Sequence, residues 1–159
     1  MYINTLHTRE YMCKAKDVKT GEWKQGSLWE SLNSDFCTMK VFESIGDMML
    51  LVPYEVLKRT ICRATEAFSD DGTRIWENDI VRSRSGITGV VRWDDDLCKH
   101  VYVFICDDNT ELITPVENEL ITVIGNIFDN PDLVPKLVLA SEKYFDNKNF
   151  LIEGGKCYA

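Results

Sequence analysis

The feature that most constrains this chain is how often its apolar runs are interrupted. Short stretches of β-branched and aromatic residues are cut by Asp71-Gly72, Ser85-Gly86 and Asp107-Asp108-Asn109, a rhythm that predicts strands joined by tight turns. Ile75 to Asp96 shows it most clearly, as two strands turning over Ser85-Gly86. Side chains alternate along a strand, so Ile80, Arg82 and Arg84 share one face while Val81 and Ser83 share the other. On the return strand Val90, Arg92 and Asp94 share a face, with Val91 and Trp93 on its reverse.

The remaining strands are expected on either side. Tyr11 to Val18 and Trp23 to Trp29 read as a hairpin over Lys19-Thr20-Gly21-Glu22, with Gly26 as a bulge. Cys37 to Phe42 reads as a strand, and the unbroken apolar run Met48-Met49-Leu50-Leu51-Val52 as a buried one, joined at Gly46-Asp47. Pro53 is expected to open a single helical turn over Tyr54 to Leu57. Thr60 to Thr65, His100 to Cys106, Glu111 to Pro115 and Glu119 to Phe128 complete the strands. Asn130 and Pro131 then look like the N-cap and first position of a helix whose Leu133, Leu137, Ala140 and Tyr144 share one face. The expected fold is mainly β, a β-rich α+β chain forming a small SH3-like barrel with a short C-terminal helix.

With 159 residues, 45% of them hydrophobic, the chain can bury a real core as one domain. A net charge of −8 opposes general duplex binding, which needs clustered Lys and Arg to neutralise phosphates. None of the six cysteines forms a C-x-x-C pair, so no metal is expected. Met1 to His7 lacks the basic and apolar parts of a secretory signal, and no run of apolar residues is long enough for a membrane span. The expectation is a protein of the cytosol with reduced thiols and no cofactor.

Three stretches resemble the YopX family, small proteins found mainly in bacteriophages and prophages. They are Asp71-Gly72-Thr73-Arg74-Ile75-Trp76-Glu77-Asn78-Asp79-Ile80-Val81, Gly89-Val90-Val91-Arg92-Trp93-Asp94 and Val123-Ile124-Gly125-Asn126-Ile127-Phe128-Asp129-Asn130-Pro131-Asp132-Leu133. Asn78 stands where the family commonly has Gly, and Asn also tolerates a left-handed backbone. The resemblance implies a YopX-type β-barrel over residues 1–135, with 136–159 a helical extension and tail, and a tendency to self-associate. It points to no reaction.

No catalytic residue stands out: no G-x-S-x-G, Walker loop or H-E-x-x-H occurs, and His7 and His100 are the only histidines. An enzyme is not expected. Two binding surfaces are. Arg82, Arg84 and Arg92, with Trp76 and Trp93, lie in a segment whose local balance is +2, four Arg against Glu77 and Asp79. Such a face suits a nucleotide or a single-stranded nucleic acid, provided its arginines do not simply pair with neighbouring acids. The other is an interaction surface built from Trp23, Trp29, Phe36, Met39, Phe42, Met48 and Met49, large groups beyond what short strands need. The preferred expectation is an accessory phage-type protein that self-associates or binds a host or phage protein.

Overall fold

The computed structural model describes residues 12–105, 111–115, 120–134, 151–153 and 156–158. They form two compact units, Met1–Ala64 and Thr65–Ala159.

In the first unit β1 (Cys13–Lys16), β2 (Trp23–Ser31), β3 (Phe36–Ile45) and β4 (Met48–Leu57) form an antiparallel sheet in the order β4-β3-β2-β1. The first residues of β5 (Cys62–Phe68) lie beside β1. Alternation decides which side chains fill the core: Cys13, Ala15, Cys37, Met39 and Val56 point inward. Outward-facing Lys14 and Lys16 carry their ammonium groups to 4.8 and 5.4 Å from the Trp23 ring centre. After β1 the buried Asp17 carboxylate accepts the Lys19 and Thr20 N–H groups and turns the chain.

Gly26 is not a bulge. It pairs in register with Cys13, and a Cβ there would overlap the Lys40 carbonyl oxygen of β3. The register shift falls between Leu28 and Glu30, at Trp29. The helical turn expected after Pro53 is also absent, because β3 and β4 pair without a shift from Phe36↔Leu57 to Ile45↔Met48. Val18 N–H donates to Glu55 O at 3.0 Å across the outer edge of β4. Strand parity therefore turns Pro53, two residues earlier, outward as well, where its missing N–H leaves the ladder to β3 intact. A 3-10 turn, Lys58–Thr60, follows.

The second unit holds the end of β5, β6 (Arg74–Trp76), β7 (Asp79–Ser83), β8 (Thr88–Asp94), β9 (Lys99–Ile105), β10 (Glu111–Pro115) and β11 (Ile121–Asn126). Its main sheet runs β10-β9-β8-β7-β11, and β12 (Leu151–Glu153) with β13 (Lys156–Tyr158) makes a separate ribbon. Both faces of the main sheet are packed. Ile80, Val90, Val101, Val103 and Ile127 cluster on one side; Val81, Val91, Tyr102, Phe104 and Ile121 cluster on the other with Ile75. Full burial of such side chains stabilises by about 1.5–3 kcal/mol each. This is why β8 and β9 read as continuous V-V and V-Y-V-F runs.

Two expectations about architecture need correction. Neither sheet closes into a barrel: in the first unit one bridge, Asp17↔Val56, joins the end of β1 to β4 before the Asp17 turn diverts the chain. Nor, among the described residues, does a helix start at Asn130. Its backbone sits at φ −129°, ψ 51° without a side-chain cap bond, and Pro131–Leu133 makes only a 3-10 turn. The Asn130 side chain accepts the Asn126 N–H instead, at 3.2 Å. Leu137, Ala140 and Tyr144 lie outside the described residues.

Candidate interaction surface and the family signature

The distal half of the β3–β4 hairpin is exposed on both faces and largely apolar on both, Glu43 beside Leu50 and Ser44 beside Met49 being its polar members. Cross-strand partners share a face, which puts Phe42, Leu51 and Met49 on one side and Ile45, Met48 and Leu50 on the other. Phe42 is 71% exposed, Met48 62% and Met49 63%. Lys40 Nζ lies 3.3 Å from the Trp29 ring centre, so Trp29, itself 67% exposed, belongs to the Phe42 face. Of the residues expected at an interaction surface, Trp29, Phe42, Met48 and Met49 are thus presented to solvent. Met39 is core, and Trp23 and Phe36 are half-buried.

At the base of this arm the Tyr54 hydroxyl donates to the Glu43 carboxylate, and Lys24 Nζ sits 4.4 Å above the Tyr54 ring. The hydrogen bond to Glu43, with minor contributions from burial and nearby carboxylates, holds the phenol above its ordinary range. Burial pushes the Cys37 thiol up, an effect that Lys58 partly offsets. Sequence reasoning missed Leu28, Ile45, Leu50 and Leu51 as exposed groups. The signal was there: a five-residue apolar run without alternation is a strand made for cover on both faces.

The arginine hairpin is placed differently from the surface expected of it. β7 pairs Arg82 with Thr88, so Arg92 lies on the same face but four residues farther along β8, about 13 Å away. Arg82 and Arg84 are exposed and, among the described residues, have no ion-pair partner. Arg92 is half-buried and its Nη1 donates to Asn78 Oδ1. Trp76 is buried, and its backbone N–H donates to Asp79 Oδ2 at 2.8 Å. Trp93 points to the other face, with its indole N–H on Asp95 Oδ1 at 2.9 Å and its ring 5.1 Å from that of His100. His100 Nε2 lies 3.2 Å from Glu77 Oε2. The five residues do not converge.

What does converge is the set of motifs that carry the resemblance. Asn78 occupies the left-handed region at φ 70°. Its N–H donates to Val91 O at 2.8 Å, and its carbonyl accepts the Ile127 N–H at 3.1 Å. With Arg92 on its side chain, one residue therefore ties the W-E-N-D turn to the V-V-R-W strand and to the G-N-I-F-D-N-P segment. That last segment is itself knotted: Asn126 Oδ1 accepts the Phe128 and Asp129 N–H groups, and Asn126 Nδ2 donates to Asp129 Oδ2. The turn carboxylates act alike, Asp94 Oδ1 taking the Asp96 and Leu97 N–H groups.

This defines a class, a two-unit antiparallel β protein whose signature residues hold its turns together. The family model described as YopX protein matches residues 9–135, and the chain belongs to the YopX family. No curated protein matches the chain in sequence. Among the described residues no helix is long and apolar enough to cross a membrane.

Proposed function

We propose that this chain acts by binding protein rather than by catalysis, that it self-associates, and that the β3–β4 arm is the surface it uses. The carrying observation is the run Met48 to Val52, which has the pattern of a strand buried on both faces yet lies largely exposed within its own chain. A monomer rarely shows a contiguous apolar patch beyond about 300–600 Å² without using it. The setting that fits is the cytosol of a bacterial host, with the chain an accessory protein of a phage or prophage that blocks or scaffolds its partner.

A second reading rests on Arg82 and Arg84, exposed near the β7–β8 turn: capture of a small anionic ligand such as a nucleotide, or of single-stranded nucleic acid. Native mass spectrometry of protein purified from its host separates the two. A defined oligomer, or a complex with another chain, that is lost on Phe42→Ser but kept on Arg82→Ala supports the arm. A bound mass of nucleotide size, lost on Arg82→Ala, supports the second reading and sinks the first.

A further inference from the structure

We infer that the first unit binds single-stranded nucleic acid on the outer face of its sheet, with Trp23 and Trp29 as stacking platforms and Lys14, Lys16 and Lys40 as phosphate contacts. This surface lies outside the distal β3–β4 arm and stands independently of it.

Strand pairing gathers these side chains. Lys16 stands opposite Trp23 and Lys40 opposite Ser27, and alternation along β2 brings both pairs to the same side of the sheet. The register shift at Trp29 returns that ring to the same side, beside Lys40. The opposite side carries Ala15, Met39 and Val56, the core of the unit. Trp23 and Trp29 are six residues apart on β2, a span of about 20 Å. That length suits a short run of nucleotides, and sheet faces that bind single strands take about four or more.

Each ring is held beside a cation. Lys14 and Lys16 bring their ammonium groups to 4.8 and 5.4 Å from the Trp23 ring centre, and Lys40 comes to 3.3 Å from that of Trp29. A tryptophan next to an ammonium group offers what one nucleotide needs, a π face for the base and a positive charge for its phosphate. Trp29 is 67% exposed with Lys40 in place, so part of its ring is open to a base. Lys40 has no carboxylate partner among the described residues, which leaves its charge available to a phosphate.

The distribution of charge removes the objection that an acidic chain repels nucleic acid. Residues 1–64 carry nine basic and eight acidic side chains, whereas residues 65–159 carry nine and eighteen. The net charge of −8 therefore belongs to the second unit, and the first is close to neutral. On the face itself Glu30 and Glu55 flank Thr38, past Trp29 at the end farthest from Trp23, and so bound the site there. The arginine hairpin of the second unit offers no comparable pairing, since Trp76 is buried and Trp93 points to the other face from Arg92.

Fluorescence anisotropy of a labelled single strand of about 16 thymidines tests the assignment. Three phosphate contacts predict a slope of about −2 for log affinity against log salt, an about 20-fold loss between about 50 and 200 mM. Trp29→Ala should weaken binding about 5- to 150-fold, and Lys40→Ala should reduce the slope by about 0.7. Phe42→Ser and Arg82→Ala should leave both quantities unchanged, with far-UV circular dichroism confirming that every variant is folded. A duplex of the same length should bind more weakly, because its bases are not free to stack. Absence of binding by the wild type at about 100 µM protein overturns the inference. So does binding that survives both Trp29→Ala and the double change Lys14→Ala, Lys16→Ala. Loss on Arg82→Ala would move the nucleic acid to the β7–β8 hairpin, and equal affinity for duplex would refute stacking. A co-purifying protein chain released by Trp29→Ala, with no strand bound, would give this face to a protein instead.

Discussion

Replacing Asn78 separates the two roles this residue plays. Its backbone holds φ 70°, a conformation costing an ordinary L-residue about 1–2 kcal/mol, which Gly tolerates freely and Asn better than most. Its side chain accepts a charge-assisted hydrogen bond from the half-buried Arg92, of a type that contributes about 1.5–3 kcal/mol. Asn78→Gly keeps the backbone conformation and loses the bond, so it should destabilise by about 2 kcal/mol. Asn78→Ala loses the bond and also strains the turn, so it should destabilise by about 3 kcal/mol. Urea unfolding of wild type and both variants measures this directly, and a changed midpoint with an unchanged slope reports stability alone. If Ala and Gly prove equal, the backbone argument is refuted. If Gly matches wild type, the Arg92 bond contributes nothing and the view of Asn78 as the node joining three motifs fails with it.

Arg92→Ala should destabilise by about 1.5–3 kcal/mol through the same bond, whereas Arg82→Ala and Arg84→Ala should stay within about 0.5 kcal/mol; equal effects at all three in urea melts would show that Arg92 is not structural. Gly26→Ala forces a methyl group onto the Lys40 carbonyl and should lower stability by about 3 kcal/mol or more, a loss that a thermal melt within error of wild type would contradict. The Asp71 carboxyl is held below its ordinary range, chiefly by the Thr73 N–H it accepts at 2.9 Å. A lowered folded-state value means that its stabilising contribution is present above the unfolded-state value and fades as pH falls through the folded one. The melting difference between wild type and Asp71→Ala should therefore shrink in acid below the ordinary carboxylate range, and a difference independent of pH would refute it.

How much of this was legible in sequence follows from how local each cause is. The Asp79–Ser83 and Thr88–Asp94 hairpin, its turn at Gly86 and the left-handed Asn78 were readable because each depends on a few adjacent residues. Pro53 was misread because its tolerance in β4 depends on which way its N–H position points, and that is set by the register with β3, a distant strand in sequence terms. Gly26 was misread for a similar reason, since the crowding comes from Lys40 on another strand. The expected barrel fails at Asp17, whose side chain turns the strand aside after a single bridge. Among the candidate sites, residue type located the Trp and Met surface in part. It did not separate buried Met39 from exposed Met48 and Met49: Met49 lies on the opposite face of the hairpin, while Met48 shares the face of Met39 but sits at the far end of the arm, beyond what the core reaches. The arginines were identified as a set by face, yet the register places Arg92 at the far end, against Asn78.

The central claim is that the distal β3–β4 hairpin is covered in the working protein by another chain. Hydrogen exchange of the segment Met48 to Val52, followed across a dilution series, tests it most directly, because a chain that covers this exposed segment would shield its amides from water. The account predicts slow exchange at high concentration and fast exchange on dilution, while the Tyr102 and Phe104 amides of the second unit stay unchanged. Fast exchange along this segment at every concentration, in protein that also carries no other chain, would contradict it.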